Sequence, residues 1–414
     1  MHICIFEDKL SDNFYPLSLS RPVFDLLYGM NTLREKILNY FPNAKFSLFC
    51  RDYLKESVKQ NHPGIEVNEL KDDNYLFING RVLMDEIFYE SLTKNTSEKV
   101  YKKNDNLIAA KVTSSTINKI RENNPDSIEL SIFEGIPEEA IEIDTIDFIW
   151  DMIINNGSVL RNDFRSSKLS GISDDARLFR GVDLINKDDV TIESEAIIKP
   201  GVVIDASNGP VYISNAVEIF PNSVIEGPAY IGEKTKIKSC AIISENVSIG
   251  AVCKIGGEVE QSLIMPYSNK QHTGYIGHSY LGSWVNLGAN TICSDLKNNY
   301  SNINLILPRG KINTGLQFLG LIMGDHTKTA ISTMFTTGTI VGFSSNILSP
   351  GFQDKFIPSF SWGGKGNMVV YDVEKSIITA KTVMKRRNVN MTEADENLFK
   401  NVFNMTNSER QKPV

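Results

Sequence analysis

The chain lacks the marks of several large protein classes. Its 414 residues hold five cysteines, Cys4, Cys50, Cys240, Cys253 and Cys293, scattered and with no CxxC pair. That pattern excludes a disulfide framework and a zinc knuckle, and predicts buried free thiols in a reducing cytoplasm. No run of about 18 apolar residues occurs, so no transmembrane helix is expected. The opening Met1–Asp8 turns acidic after one strand's length, unlike a secretion signal. There is no basic surplus either. Lys and Arg number 43 against 50 Asp and Glu, a formal charge of −7. A general nucleic-acid binder would show the opposite balance.

What is present divides into unlike halves. At roughly 100–200 residues per domain the length suggests two or three domains. Residues 1–165 read as an α/β domain. Strands are expected at Ile3–Phe6, Phe46–Cys50, Tyr75–Ile78 and Leu107–Ala110, and helices at Thr32–Tyr40 and Asp52–Gln60. Ile146–Asn155 reads as a further helix, stopped by Asn156-Gly157.

The second half, 166–370, carries a repeat. Isoleucine returns every six residues at 192, 198 and 204, then, after a three-residue insertion near Asn208-Gly209-Pro210, at 213, 219, 225, 231, 237, 243, 249 and 255. The residue two before each is always small or β-branched, from Val190 and Ala196 to Cys253. A period of six is not helical. Each hexad must be a short strand plus a corner, with the isoleucine and its smaller neighbour both facing inward. This is the hexapeptide pattern of a parallel β-helix. The phase is disturbed from about 258, and Cys293–Gln317, polar and rich in Asn, reads as a loop. A C-terminal helical tail, 371–414, contains a helix at Ser376–Lys385 and a fraying end at Asn404–Val414. Exposed β-helix ends need covering. The α/β domain is expected to cap one end and the C-terminal helix to lie near the other.

Three of the five histidines, His272, His278 and His326, fall in this half. The densest stretch, Asn269–Gly282, sits where the hexad rhythm breaks and reads as a loop leaving the prism. An imidazole there suits proton abstraction from an amine. A metal pair of His272 and His278 is disfavoured, because six residues carry the chain from one corner to the next. Hydrogen-bonded histidines on a polar wall are the plain alternative.

The run His272-Thr273-Gly274-Tyr275-Ile276-Gly277, followed by Val285-Asn286-Leu287-Gly288-Ala289-Asn290-Thr291, resembles the acetyltransferase half of the bifunctional N-acetylglucosamine-1-phosphate uridylyltransferase/glucosamine-1-phosphate N-acetyltransferase family. The family's motif is H-x-x-Y-[LI]-G, then, eight residues on, V-N-[IL]-G-A-G-T, matched here with no gap; only Asn290 departs from it. Segments such as Ser294–Tyr300, Gly324-Asp325-His326 and Phe360–Gly364 resemble a divergent, Bacteroidetes-type branch. The resemblance implies a nucleotidyltransferase-like α/β domain followed by a left-handed β-helix, assembled as a homotrimer. It implies His272 as general base toward the sugar amine, Tyr275 and Asn286 on the sugar phosphate, and the Ala289 N–H as oxyanion donor. Asn299 and Tyr300 would contact acetyl-CoA, the co-substrate. The family's phosphate-gripping Arg and Lys fall near Ser244 and Ser262, neither basic, with Lys254, Lys270, Arg309 or Lys311 as possible substitutes.

The first domain departs further from the family. The glycine-rich GxGxRM loop that lets amides approach phosphates is missing. Arg21 and Lys36 are candidate phosphate cations. Asn79, ending a strand in Asn79-Gly80-Arg81, stands near the family's magnesium Asp and is a neutral, poorer ligand. Asp8, Asp25 and Asp85 are alternative ligands, and the metal site stays unassigned. Mg²⁺ is expected only if uridylyl transfer from UTP is retained.

Three readings remain open. The first is a sugar-phosphate enzyme that acetylates glucosamine-1-phosphate, with uridylyl transfer as a further step to UDP-N-acetylglucosamine. The second is a single-activity sugar-1-phosphate nucleotidyltransferase, uridylyl or thymidylyl, with a structural or regulatory β-helix. The third is a non-enzymatic trimeric scaffold. The basic cluster Lys381, Lys385, Arg386 and Arg387 reads as a solvated helix face or a neighbour of CoA phosphates, not as a nucleic-acid or membrane contact.

Overall fold

A computed structural model describes residues 2–71, 73–94, 97–123, 127–167 and 171–411. In the first domain a seven-stranded sheet runs, in spatial order, Glu66–Val67, Lys45–Phe49, His2–Phe6, Tyr75–Asn79, Asn106–Val112, Lys99–Lys103, Glu138–Ala140. The first four are mutually parallel. The four expected strands are all present. Alternation along His2–Phe6 sends Ile3 and Ile5 to one core, and Cys4 and Phe6 to another on the opposite face. The helix Leu33–Asn39 is capped by Thr32, which exchanges hydrogen bonds with Glu35 in a capping box.

The Asn156-Gly157 stop does not occur. The helix runs unbroken from Ile149 to Ser167. Asn156 is buried; its Oδ1 accepts from Gly29 N at 3.0 Å and its Nδ2 donates to Asn246 O and Ser248 Oγ at 2.9 Å. A Cβ at Gly157 would stand 1.7 Å from Asn246 Oδ1. The dipeptide marks close packing of this helix on the β-helix, not its end.

The hexads form a left-handed parallel β-helix. One face has ten strands, from Gly171–Ile172 to Phe356–Ile357, and two six-stranded faces run beside it. Ile213, Ile231 and Ile249 stand in register, so three hexads make one rung. All the repeat isoleucines are buried in one continuous core, with Val190, Ala196 and Cys253 beside them. Each such side chain contributes about 1.5–3 kcal/mol of transfer energy.

Two expectations for this half fail. Asn269–Gly282 does not leave the prism: Asn269–Lys270, Tyr275–Gly277 and Tyr280–Leu281 are ordinary strands of successive faces. The rhythm broke because the rungs shorten, Val259 and Ile264 following Ile243 and Ile249 in register sooner than a full three hexads, and because Lys270 takes an isoleucine's inward place, in register with Ile255. Its Nζ donates to Gly256 O and His272 O, and burial lowers its pKa to about 8. The segment that does leave, after Cys293, is not structureless. Asn304–Leu307 and Gly310–Asn313 pair as an antiparallel hairpin, with Ile303, Leu305 and Leu307 buried at period-2 spacing.

The domains also meet differently from expectation. The α/β domain lies along the side of the ten-stranded face instead of capping an end: Leu263, Tyr280, Ile322 and Ile340 join its core, and Tyr280 Oη donates to Leu27 O at 2.6 Å. The helix Val373–Lys385 starts at the last rung and runs back along the prism. Its thirteen residues cover about 20 Å, or roughly four rungs of about 4.8 Å. That brings Arg387 to Asn269 Oδ1 at 2.6 Å, four rungs below Ser361–Gly364. Asn404–Arg410 does not fray. Glu393–Met405 and Asn407–Arg410 are helical, and buried Glu409 accepts from Tyr15 Oη at 2.9 Å. Residues 412–414 lie outside the described residues. Four cysteines are buried as free thiols, but Cys240 is exposed at a corner with φ 59°.

Candidate active site

His272 and Ala289 occupy one corner of the prism, on adjacent rungs. The Asn290 N–H donates to Thr273 O at 3.0 Å, stitching the two rungs together. Gly274 is required there: its φ is 123°, and a Cβ would meet Thr291 O at 2.1 Å. His272 is exposed. The Ala289 N–H has no acceptor among the described residues and is free to meet a ligand.

The corner separates two flanks of opposite charge. On one face Asn286 lies in a ladder between Asn269 and Lys328, and Lys254 is in register with Asn269 below. Burial together with the charges of Arg387, Lys236, Lys238 and Arg386 holds the Lys254 pKa below the usual lysine range. Burial alone takes Lys328 down to about 8. On the other face Tyr275 Oη lies 2.7 Å from Asp295 Oδ2 and 2.9 Å from Glu260 Oε2. Burial and these two carboxylates raise its pKa far above the usual tyrosine value. His278 joins the cluster through Nδ1, 2.8 Å from Asp295 Oδ2, and its ring stacks on Phe318. Burial would raise the Asp295 pKa, but the hydrogen bonds from His278 and Tyr275 outweigh it and hold it low.

The structure therefore gathers His272, Tyr275, Asn286 and Ala289 around one edge. It leaves Asn299 and Tyr300 on the exposed excursion, Tyr300 being 64% exposed. Lys270, a suggested phosphate cation, points into the core and is unavailable. Sequence reasoning missed Asp295 and Glu260. The signal for Glu260 was its place two residues after Glu258 on a strand in register with Tyr275–Gly277.

The nucleotide-site candidates of the first domain all have partners within the protein. Arg21 is ion-paired to Asp325 of the β-helix and Lys36 to Asp163 of the long helix. Both serve as ties between elements. Asn79 is fully buried, donating to Asp8 Oδ2 and Leu107 O and accepting from the Arg81 amide. Arg81, also buried, takes Asp8 and Asp147 as ion partners at 2.6 and 2.7 Å. Asp8 and Asn79 are thus committed, Asp25 pairs with Arg34 and His62, and Asp85 stands exposed, its Oδ1 accepting from Phe88 N at 2.7 Å. No group of three His, Cys, Asp or Glu suited to a metal occurs among the described residues. The arrangement does not fit the ion.

Fold and edge define a class: a two-domain transferase that joins a nucleotidyltransferase-like domain to a hexapeptide-repeat acyltransferase prism. A family model described as "Sugar nucleotidyl transferase" matches residues 3–170. The "Bifunctional protein GlmU" of Methanococcus vannielii is 25% identical over 364 residues, covering 80% of this chain and 84% of that protein. A "Bifunctional sugar-1-phosphate nucleotidylyltransferase/acetyltransferase" of Sulfurisphaera tokodaii is 29% identical over 198 residues, covering 48% of this chain and 43% of its own length. The "Bifunctional protein GlmU" of Rippkaea orientalis is 27% identical, covering 48% and 42%. This chain thus spans less than half of the latter two. It is similar to these bifunctional nucleotidyltransferase/acetyltransferase proteins.

Proposed function

We propose that this protein transfers the acetyl group of acetyl-CoA to the amine of a sugar phosphate, glucosamine-1-phosphate, in amino-sugar nucleotide synthesis. The observation that carries the reading is the shared corner. His272 stands one rung from an amide, Ala289 N–H, that has no acceptor among the described residues. His272 takes the proton from the attacking amine, the nitrogen adds to the thioester carbon, and the tetrahedral oxyanion forms against the Ala289 N–H. Such a donor is worth about 3 kcal/mol. Collapse expels CoA thiolate and leaves the amide.

The charged flanks fit this division of substrates. Phosphates of CoA suit the cationic side around Lys254, Arg386 and Arg387. Tyr275 and Asn286 orient the sugar, and Glu260 and Asp295 favour an ammonium group before it is deprotonated. Asn299 and Tyr300 sit on an exposed excursion where a neighbouring prism of a homotrimer would bring them to its acetyl-CoA. The wider sequence resemblance supports a divergent Bacteroidetes-type branch and a cytoplasmic setting as part of this reading. No helix among the described residues is long and apolar enough to cross a membrane.

The name of the Sulfurisphaera tokodaii relative favours a second activity, nucleotidyl transfer, for the first domain, and the sequence resemblance implies uridylyl transfer from UTP. It would need Asp8 released from Arg81, and we derive no step for it. A second reading of the base is favoured by one observation: Asp295 fixes His278 at Nδ1, leaving its Nε2 as a defined acceptor, whereas no side chain among the described residues fixes His272.

The test is free-thiol release from acetyl-CoA with glucosamine-1-phosphate. Release that requires the sugar and falls in His272→Ala supports the reading. No release with any amino-sugar phosphate sinks it.

A further inference from the structure

The two domains and the C-terminal helices enclose a cleft of about 440 Å³, on a different edge of the prism from His272. One wall is the corner that follows the ten-stranded face. The residue three beyond the inward member of each strand turns this corner. Ile249, Ile264, Leu281, Met323 and Val341 thus lead to Val252, Tyr267, Trp284, His326 and Ser344, all with φ between 51° and 67°. Side chains other than Gly, Asn or Asp are strained there, at about 1 kcal/mol or more each.

Three successive rungs nonetheless place a ring at this corner. Tyr267 and Trp284 stack in parallel with centroids 4.2 Å apart, and Trp284 and His326 follow at 6.0 Å and 14°. The prism does not demand rings, since Val252 and Ser344 turn the same corner one rung below and one above. The column is confined to the rungs that face the cleft.

The cleft also holds unmet hydrogen-bonding groups. His326 is 8% exposed, and its Nδ1 has no partner among the described residues. Arg21 Nε is likewise buried and without a partner, although the same guanidinium pairs with Asp325 and reaches Ser283 Oγ at 3.3 Å. Across the cleft Arg34 donates through Nε to Asp25 at 2.8 Å. Both cationic charges are therefore already balanced, and Asp395 adds a negative charge among the lining residues. A polyphosphate has no counter-charge here. A flat ligand with carbonyl or ring-nitrogen acceptors does have partners: rings to stack on and idle N–H groups to satisfy.

We propose that this cleft binds a flat, low-charge heteroaromatic of the nucleoside class, its ring against the Tyr267–Trp284 column and its acceptors toward Arg21. A ligand held there touches both domains and the C-terminal helices at once.

The experiment uses the full chain, without Mg²⁺, in equilibrium dialysis against adenosine, guanosine, cytidine and uridine and their triphosphates. Trp284 is the one tryptophan of Trp150, Trp284 and Trp362 that lines the cleft, so its fluorescence reports occupancy. At least one nucleoside is expected to saturate and quench it, with the triphosphate binding no more tightly. Val389→Phe, which narrows the cleft without altering the ring column, is expected to weaken binding by about tenfold at an unchanged melting temperature. Trp284→Phe keeps a ring, so dialysis still detects binding while the quench disappears. The proposal is overturned if no nucleoside saturates, if only triphosphates bind, or if Val389→Phe binds like the parent. None of these readings depends on acetyl transfer, so the two proposals stand or fall separately.

Discussion

His278 Nδ1 and Asp295 Oδ2 lie 2.8 Å apart, although Asp295 opens the excursion that leaves the prism and His278 belongs to a corner one rung earlier. The carboxylate fixes the tautomer of His278, and the same oxygen holds the hydroxyl of Tyr275. His272, six residues before, has no comparable partner among the described residues. Two imidazoles thus approach one edge, one oriented by the fold and the other open to solvent.

Their roles separate by kinetics. With His272 as the base, His272→Ala lowers the rate of thiol release by about 10²–10⁴, while His278→Ala acts mainly through Tyr275 and costs far less. The opposite order of losses assigns the base to His278. Asp295→Asn then becomes informative, because it would lower the rate with the fold intact. Thermal melts of all three variants check that condition.

Gly157 tests the contact between the domains. Replacing it with Ala drives a methyl into Asn246 Oδ1, on the prism. Either the helix Ile149–Ser167 lifts or Asn246 gives up its hydrogen bond to Gln261. Gly157→Ala is expected to cost about 1–3 kcal/mol despite the better helix propensity of alanine. A urea titration that shows stabilisation instead would mean that the domains do not pack through this helix.

Asn-Gly after an apolar run is a sound helix stop when only local chemistry is considered. The reason to keep it inside a helix lies ninety residues away, in Asn246 and Ser248. The repeat, by contrast, was fully legible, because each hexad repeats one local rule and the core is the sum of those rules. The corner of His272 and Ala289 did not follow from that register, which is disturbed from about 258; those residues stood out only through the family motif. The acidic flank was not legible either, since Asp295 arrives from an insertion whose path no periodicity announces. Arg21 and Lys36 were read as phosphate cations because a cation's partner, here Asp325 or Asp163, is invisible without the fold. The ring column was readable in principle: Tyr267, Trp284 and His326 each stand three residues after an inward apolar position.

His326 gives a pH signature. Burial, reinforced by Lys328 and Arg21, depresses its pKa well below 6.5, while in the unfolded chain it titrates near 6.5. Below that pH the unfolded state takes up the proton first. This group's contribution is therefore intact above pH 6.5 and declines as pH falls, by up to about 1.4 kcal/mol per unit. His326→Phe, which keeps a ring between Trp284 and Phe399, is expected to flatten the acid side of the stability profile between pH 6.5 and 5. Chemical denaturation across that range gives the slope, and an unchanged slope would place the proton uptake elsewhere.

Glu409 carries the opposite sign. Burial raises its carboxyl pKa above the usual 4.5, against the hydrogen bonds from Ser359 and Tyr15. The folded state therefore holds this proton more tightly than the unfolded chain does. Its contribution is fully present below pH 4.5 and is lost as pH rises through the raised folded value. Near neutrality the chain buries a carboxylate where an uncharged acceptor would be easier to accommodate. Glu409→Gln retains an oxygen for Tyr15 Oη and Ser359 N, which lie 2.9 and 3.2 Å from Oε2. The variant is expected to be more stable than the parent at pH 8, with the gain shrinking toward pH 4.5. Paired urea midpoints at the two pH values measure it. A loss at pH 8 would instead show that the negative charge, held beside Arg410, is what fastens the C-terminal helices to Tyr15 and the last rungs of the prism.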